Sequence, residues 1–202
     1  MINLLILVIF SLEYVLIWLT FFFFDMVNWI FPYANIPCCK LTVLELQSLW
    51  LCGLWCIMPL FRFFFILGVE KLVHHFHKHN IPMAVATGSG TQAYDRKISN
   101  HKHLFQLISH VVKSDDPELQ QCKPAPDIFL LASARFPAQP TSPDHVLVFE
   151  DAPNGVTAAR AAGMNVVMVP DKNVDKAKCA NASMVLKSLE EFDPGEWGFP
   201  PF

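Results

Sequence analysis

Residues 69–202 predict an α/β fold, a parallel sheet with helices on both faces. Short apolar runs recur between turn residues, amphipathic stretches alternate with them, and polar residues gather directly after several of the runs. A strand buried on both faces has no polar side to alternate with, so it reads as a continuous apolar run.

In chain order, Leu72, Val73 and Phe76 fall at helical spacing in VEKLVHHFHKH, with His and Lys on the other face, which predicts a helix over 69–79. Pro82 then leads into the buried strand MAVAT. The pattern repeats: a helix near 91–103, the strand HVV at 110–112, a helix at 126–136, the strand HVLVFE at 145–150, a helix at 154–162 and the strand MNVVMV at 164–169. His74, His75, His77 and His79 invite a zinc reading, since His75 and His79 are one helical turn apart. Zinc takes three or four ligands and no carboxylate or thiol is placed to help, so these histidines are read as a basic, solvated helix face.

Charge distribution separates this domain, 69–202, from the segment 1–68. The first 68 residues hold five charged side chains, Glu13, Asp25, Lys40, Glu45 and Arg62, and the other 28 lie beyond them. Net charge is −3 and no Lys/Arg run is interleaved with aromatics, which argues against a nucleic acid partner. The six cysteines form no CxxC pair, which argues against a zinc ribbon or a thioredoxin motif; they are expected to be reduced and buried. Asn181, in NAS, is a glycosylation acceptor only if it faces a lumen.

Residues 2–24, INLLILVIFSLEYVLIWLTFFFF, are long enough to cross a bilayer. The central Glu13 costs about 3 kcal/mol on insertion scales, and the seventeen Leu, Ile, Val and Phe return roughly 7, so insertion is favoured. A second apolar stretch at 49–68 is interrupted by Pro59 and Arg62 and is a poorer span. Two readings of residues 1–68 stay open: a membrane anchor, and a segment from an alternative or mispredicted exon with no evolved function. The oligomeric state is not readable.

Chemistry concentrates at VLVFEDAPNGVTAARAAG, residues 146–163, where an apolar run delivers Glu150 and Asp151 into a turn that opens a helix. In open α/β sheets ligands bind beyond the carboxyl ends of the strands. Two other strand ends reach the same edge: Thr87 after MAVA, and Lys123 before Pro124 in QCKPAPDIF. A hydroxyl with the amides of the Gly88, Ser89 and Gly90 turn can hold phosphate oxygens. A lysine offsets phosphate and carboxylate charge, and paired acids suit Mg²⁺ with its waters. Together they describe a phosphoryl-transfer site.

The stretches GVEKL, HKHNIP, ATGSG, KPAPDIF, VFEDAPNGV, AAGM and VVMVPD, which run in order over about two thirds of the chain, resemble the haloacid dehalogenase-like hydrolases, most closely their pseudouridine 5'-phosphatase branch. The resemblance implies a Rossmann-like core in the cytoplasm and Mg²⁺-dependent hydrolysis of a small phosphorylated metabolite. It makes Thr87 the phosphate-binding hydroxyl, Lys123 the lysine that steadies nucleophile and phosphate, and Asp151, supported by Glu150, the metal ligand. It also implies a DxD motif after a first, central strand, whose first aspartate attacks phosphorus and whose second is the acid/base. That motif is missing where the family would place it, and so is the helical cap. The chain is therefore expected to lack the usual first strand and to be an impaired or inactive phosphatase; the alternatives are a membrane-attached pseudoenzyme or a changed substrate, a sugar phosphate or an organic halide. FFFFDMVNW at 21–29 offers Asp25 as the one alternative nucleophile, but Val27 holds the acid/base position, and the match is read as chance within a Phe-rich tract.

Overall fold

The structure, a computed structural model, describes residues 4–7, as backbone, and 68–202, all within one compact unit. Six parallel strands form one sheet: β1 (Leu4–Leu7), β2 (Met83–Ala86), β3 (His110–Val112), β4 (Val146–Glu150), β5 (Asn165–Met168) and β6 (Met184–Val185), in the order β3-β2-β1-β4-β5-β6. The helices are α1 (Val69–Lys78), α2 (Thr91–Ile98), α3 (Lys102–Phe105), α4 (Asp127–Ala134) and α5 (Pro153–Ala161).

Because side chains alternate across a strand, β2, β4 and β5 each feed two cores. Ala84, Ala86, Val146, Val148 and Val166 pack with Phe129 of α4 and Val156 of α5. Met83, Leu147, Phe149 and Val167 pack on the other face with Leu72 and Phe76 of α1 and with Phe192 and Phe199 near the carboxyl terminus. Both faces of β2 and β4 are thus covered, which is why MAVA and VLVF carry no polar residue.

The expected elements form within a residue or two, with three departures. The helix expected at 91–103 is broken into α2 and α3, because the Ser99 hydroxyl donates to Arg96 O (2.9 Å) and competes for a carbonyl the helix would use. β6 was not anticipated; two residues are too short for a periodic signal. Cys122 is exposed rather than buried, while Cys179 is buried as expected.

The largest correction concerns the centre of the sheet. The first strand was expected to be lacking, yet Leu4–Leu7 fills its slot, pairing Leu5, Ile6 and Leu7 with Met83, Ala84 and Val85 on one side and with Leu147, Val148 and Phe149 on the other. The physical reason is that β2 and β4 each leave a row of backbone donors and acceptors between them, which the backbone of a four-residue extended run satisfies on both sides. Extended residues paired on both sides are not part of a helix, so a single spanning helix over 2–24 is not what forms at Leu4–Leu7. Among the described residues no helix is long and apolar enough to cross a membrane. The rest of 2–24, the stretch at 49–67 and Asp25 lie outside the described residues.

The histidines are not uniformly solvated. His75 Nε2 donates to Pro200 O (2.8 Å) and its ring packs on Phe202 at 4.7 Å, so it anchors the carboxyl-terminal tail to α1.

Candidate active site

The strand order reverses direction between β1 and β4, and the crevice beyond the carboxyl ends at such a switch point is where α/β sheets bind ligands. Four polar residues foreseen in the sequence come together there. Thr87 follows β2 and is 3% exposed; its amide donates to Val112 O (2.9 Å), fixing the strand end against β3. Lys123 does not end a strand, as its place in the sequence suggests, but reaches in from the loop before α4, donating to Ala86 O at 3.1 Å and to Glu150 Oε1 at 2.6 Å. Ala86 ends β2 and Glu150 ends β4, so the ammonium joins the two strands that flank β1 and lies 4.8 Å from the Phe129 ring centroid.

Glu150 is 1% exposed and saturated. Besides Lys123, its carboxylate accepts the amides of Asp151 (3.2 Å) and Ala152 (3.4 Å). Its position depends on Gly155, in the first turn of α5: a Cβ there would overlap the Glu150 carboxylate, so only glycine lets the helix approach that closely. At its other end α5 stops at Gly163 (φ 76°), where the Gly163 amide donates to Arg160 O and the Met164 amide to Ala159 O, both at 3.0 Å, the paired bonds of a glycine-terminated helix. Asp151 sits half-buried at the mouth of the same turn.

The turn after Thr87 is more occupied than the sequence suggested. The Ser89 amide donates to Thr87 Oγ1 (3.1 Å), and Asp115 takes both the Thr91 amide (2.7 Å) and the Thr91 hydroxyl (3.2 Å). These contacts, the Thr91 amide first among them, hold the Asp115 carboxyl below the usual carboxylate range. Among the described residues the Gly88 and Gly90 amides meet no hydrogen-bond acceptor. Three participants gave no sequence signal. Asp115 caps α2, Lys97 Nζ donates to Ser89 Oγ (2.6 Å), and Arg135 clamps the loop that carries Lys123 through Asp116 (2.6 and 2.8 Å) and Glu118 (2.9 Å). Each partner lies 8 to 24 residues away, beyond the reach of local pattern.

A haloacid dehalogenase-like hydrolase family model matches residues 63–163, half of the chain. The chain belongs to the haloacid dehalogenase-like hydrolases. Among relatives in this family, it is 53% identical over 135 residues to (DL)-glycerol-3-phosphatase 1, mitochondrial, of Arabidopsis thaliana, covering 67% of this chain and 45% of that protein. It is 48% identical over 136 residues to a Drosophila melanogaster protein described as a probable pseudouridine-5'-phosphatase, covering 67% and 58%. In fold it is similar to CbbY from Rhodobacter sphaeroides in complex with phosphate, with a TM-score of 0.53 and 23% identity over 61% of this chain and 54% of that one. The chain spans about half the length of the curated relatives it matches.

Chemically, the donor set fits Mg²⁺ in part of its usual shell. That ion takes one or two carboxylates and completes its shell with water and phosphate oxygens. Asp151 is a hard oxygen donor at the crevice, whereas the Glu150 carboxylate is already held by Lys123 and two amides. Among the described residues no group of three or more His, Cys, Asp and Glu converges.

Proposed function

We propose that this chain binds a small phosphate monoester together with Mg²⁺ at the crevice where the strand order reverses, and that its hydrolysis of that ester is impaired or absent. Thr87 donates its hydroxyl to a phosphoryl oxygen, and Lys123 sets a positive charge between phosphate and Glu150. Glu150 holds the Lys123 ammonium in place, and Asp151 is the direct metal ligand. Bound Mg²⁺ would supply neutralisation of the phosphoryl oxygens. Pseudouridine 5'-phosphate and glycerol 3-phosphate are the ligands to try, because the relatives above are named for them.

The observation that carries the reading is the identity of the central strand. Family chemistry places a nucleophilic aspartate just after that strand, and the sequence following Leu7 is Val8-Ile9-Phe10-Ser11, with no carboxylate. Loss of an acid/base alone costs about 10² to 10⁴ in rate, and loss of the nucleophile removes the covalent route altogether.

The purified full chain is expected to bind these esters in the presence of Mg²⁺ and to release no inorganic phosphate above background. Turnover that vanishes in Asp25→Asn would overturn the reading, since it would make Asp25 the nucleophile.

A further inference from the structure

We propose that Lys97 is a positioning residue that turns the Ser89 hydroxyl into a second donor, beside Thr87, for the bound phosphoryl group. This rests on the phosphate-binding reading above and adds to it a residue that sequence pattern did not single out.

An ammonium only donates, so in the 2.6 Å contact between Lys97 Nζ and Ser89 Oγ the serine oxygen is the acceptor. A serine hydroxyl carries one proton, which must then point to a different acceptor. Accepting from a cation also polarises the O–H bond and strengthens it as a donor. Thr87 follows the same logic more weakly: its Oγ1 accepts the neutral Ser89 amide at 3.1 Å, leaving its own proton to donate.

Apart from the Gly88 and Gly90 amides, the neighbouring donors are committed elsewhere. Asp115 occupies the Thr91 amide, so the start of α2 does not offer that donor to a ligand. Lys113 Nζ contacts Thr91 Oγ1 (3.3 Å), and the Lys123 ammonium is paired with Glu150. The Ser89 carbonyl accepts the Ser114 amide (3.3 Å), which pins the backbone so that the hydroxyl is the movable part. The Lys97–Ser89 pair thus brings cationic charge to the phosphate turn through an O–H directed away from the lysine. A ligand with a dianionic phosphate is the chemistry that such a donor recognises.

Inorganic phosphate, titrated calorimetrically into the full chain with Mg²⁺, is the probe. A charge-assisted hydrogen bond is roughly twice as strong as a neutral one, so Lys97→Met should weaken phosphate binding about tenfold. Ser89→Ala should weaken it comparably, the double variant should be no worse than either single one, and Lys97→Arg should bind within about threefold of the parent. If Lys97→Met or Ser89→Ala binds like the parent while Lys123→Met does not, the positioning role is overturned and the phosphate-binding reading survives. Fully additive losses in the double variant would also overturn it, because Lys97 would then not act through Ser89. No binding by the parent chain would overturn both. Should Lys97→Met fail to fold by circular dichroism, Ser89→Ala decides alone, unchanged affinity being the overturning result.

Discussion

Replacing Gly155 with alanine tests how the acidic corner is built, and two opposing effects decide its sign. Gly155 lies within α5, and its φ is in the ordinary helical range, so alanine should by propensity stabilise the helix by about 1 kcal/mol. Against that, the new methyl would overlap the Glu150 carboxylate, whose side chain is 2% exposed and paired at 2.6 Å with a Lys123 side chain that is 15% exposed. Displacing one partner of a buried ion pair costs about 3–5 kcal/mol. The net loss is roughly 2–4 kcal/mol, a fall in Tm of roughly 6–12 °C at about 3 °C per kcal/mol. Urea or thermal unfolding by circular dichroism measures it. In a Glu150→Ala background the clash is gone, so the same substitution should become neutral or stabilising by up to ~1 kcal/mol. A Gly155→Ala protein with unchanged or raised Tm would refute the close approach of helix and carboxylate.

Ile6→Pro removes a ladder donor from a central strand and should abolish cooperative unfolding, because Ile6 is paired with Ala84 and Val148 at once; an unchanged melt would show that residues 4–7 do not complete the sheet. Acid stability should depend on Arg135. Its hydrogen bonds hold the Asp116 carboxyl below the usual range, so that group's contribution is present above the unfolded-state value and is lost as pH falls through the lower folded one. Arg135→Met should therefore lose its stability advantage at neutral pH and show a shallower acid limb; identical pH profiles for the two proteins would reject this. Tyr94, 5% exposed and next to Asp95, has its phenol pushed up to about 12, chiefly by burial. An ultraviolet titration should show a late-ionising tyrosine that Tyr94→Phe removes, and a late phase that persists in that variant would contradict the assignment.

Much of the fold was legible because burial on both faces leaves a local trace. MAVA and VLVF are continuous apolar runs, Leu72, Val73 and Phe76 mark one side of α1, and the acids and the threonine stand at strand ends by position alone, whereas Lys123 lies in the loop before α4. These same residues carried the family resemblance. What the sequence left open is non-local. An apolar run such as LLIL has no periodicity that separates strand from spanning helix, and only the vacant hydrogen-bonding edges of β2 and β4 assign Leu4–Leu7 to the centre of the sheet. Likewise, nothing near Glu150 in the chain announces that its carboxylate is closed off by Lys123, 27 residues away, and backed by Gly155. The sequence alone determined which residue types stand at the crevice, because their chemistry belongs to each side chain. Tertiary structure decided which of them meet, which donors the turn at 87–90 retains and what stands in the central strand, because those depend on distances between segments that no local pattern encodes.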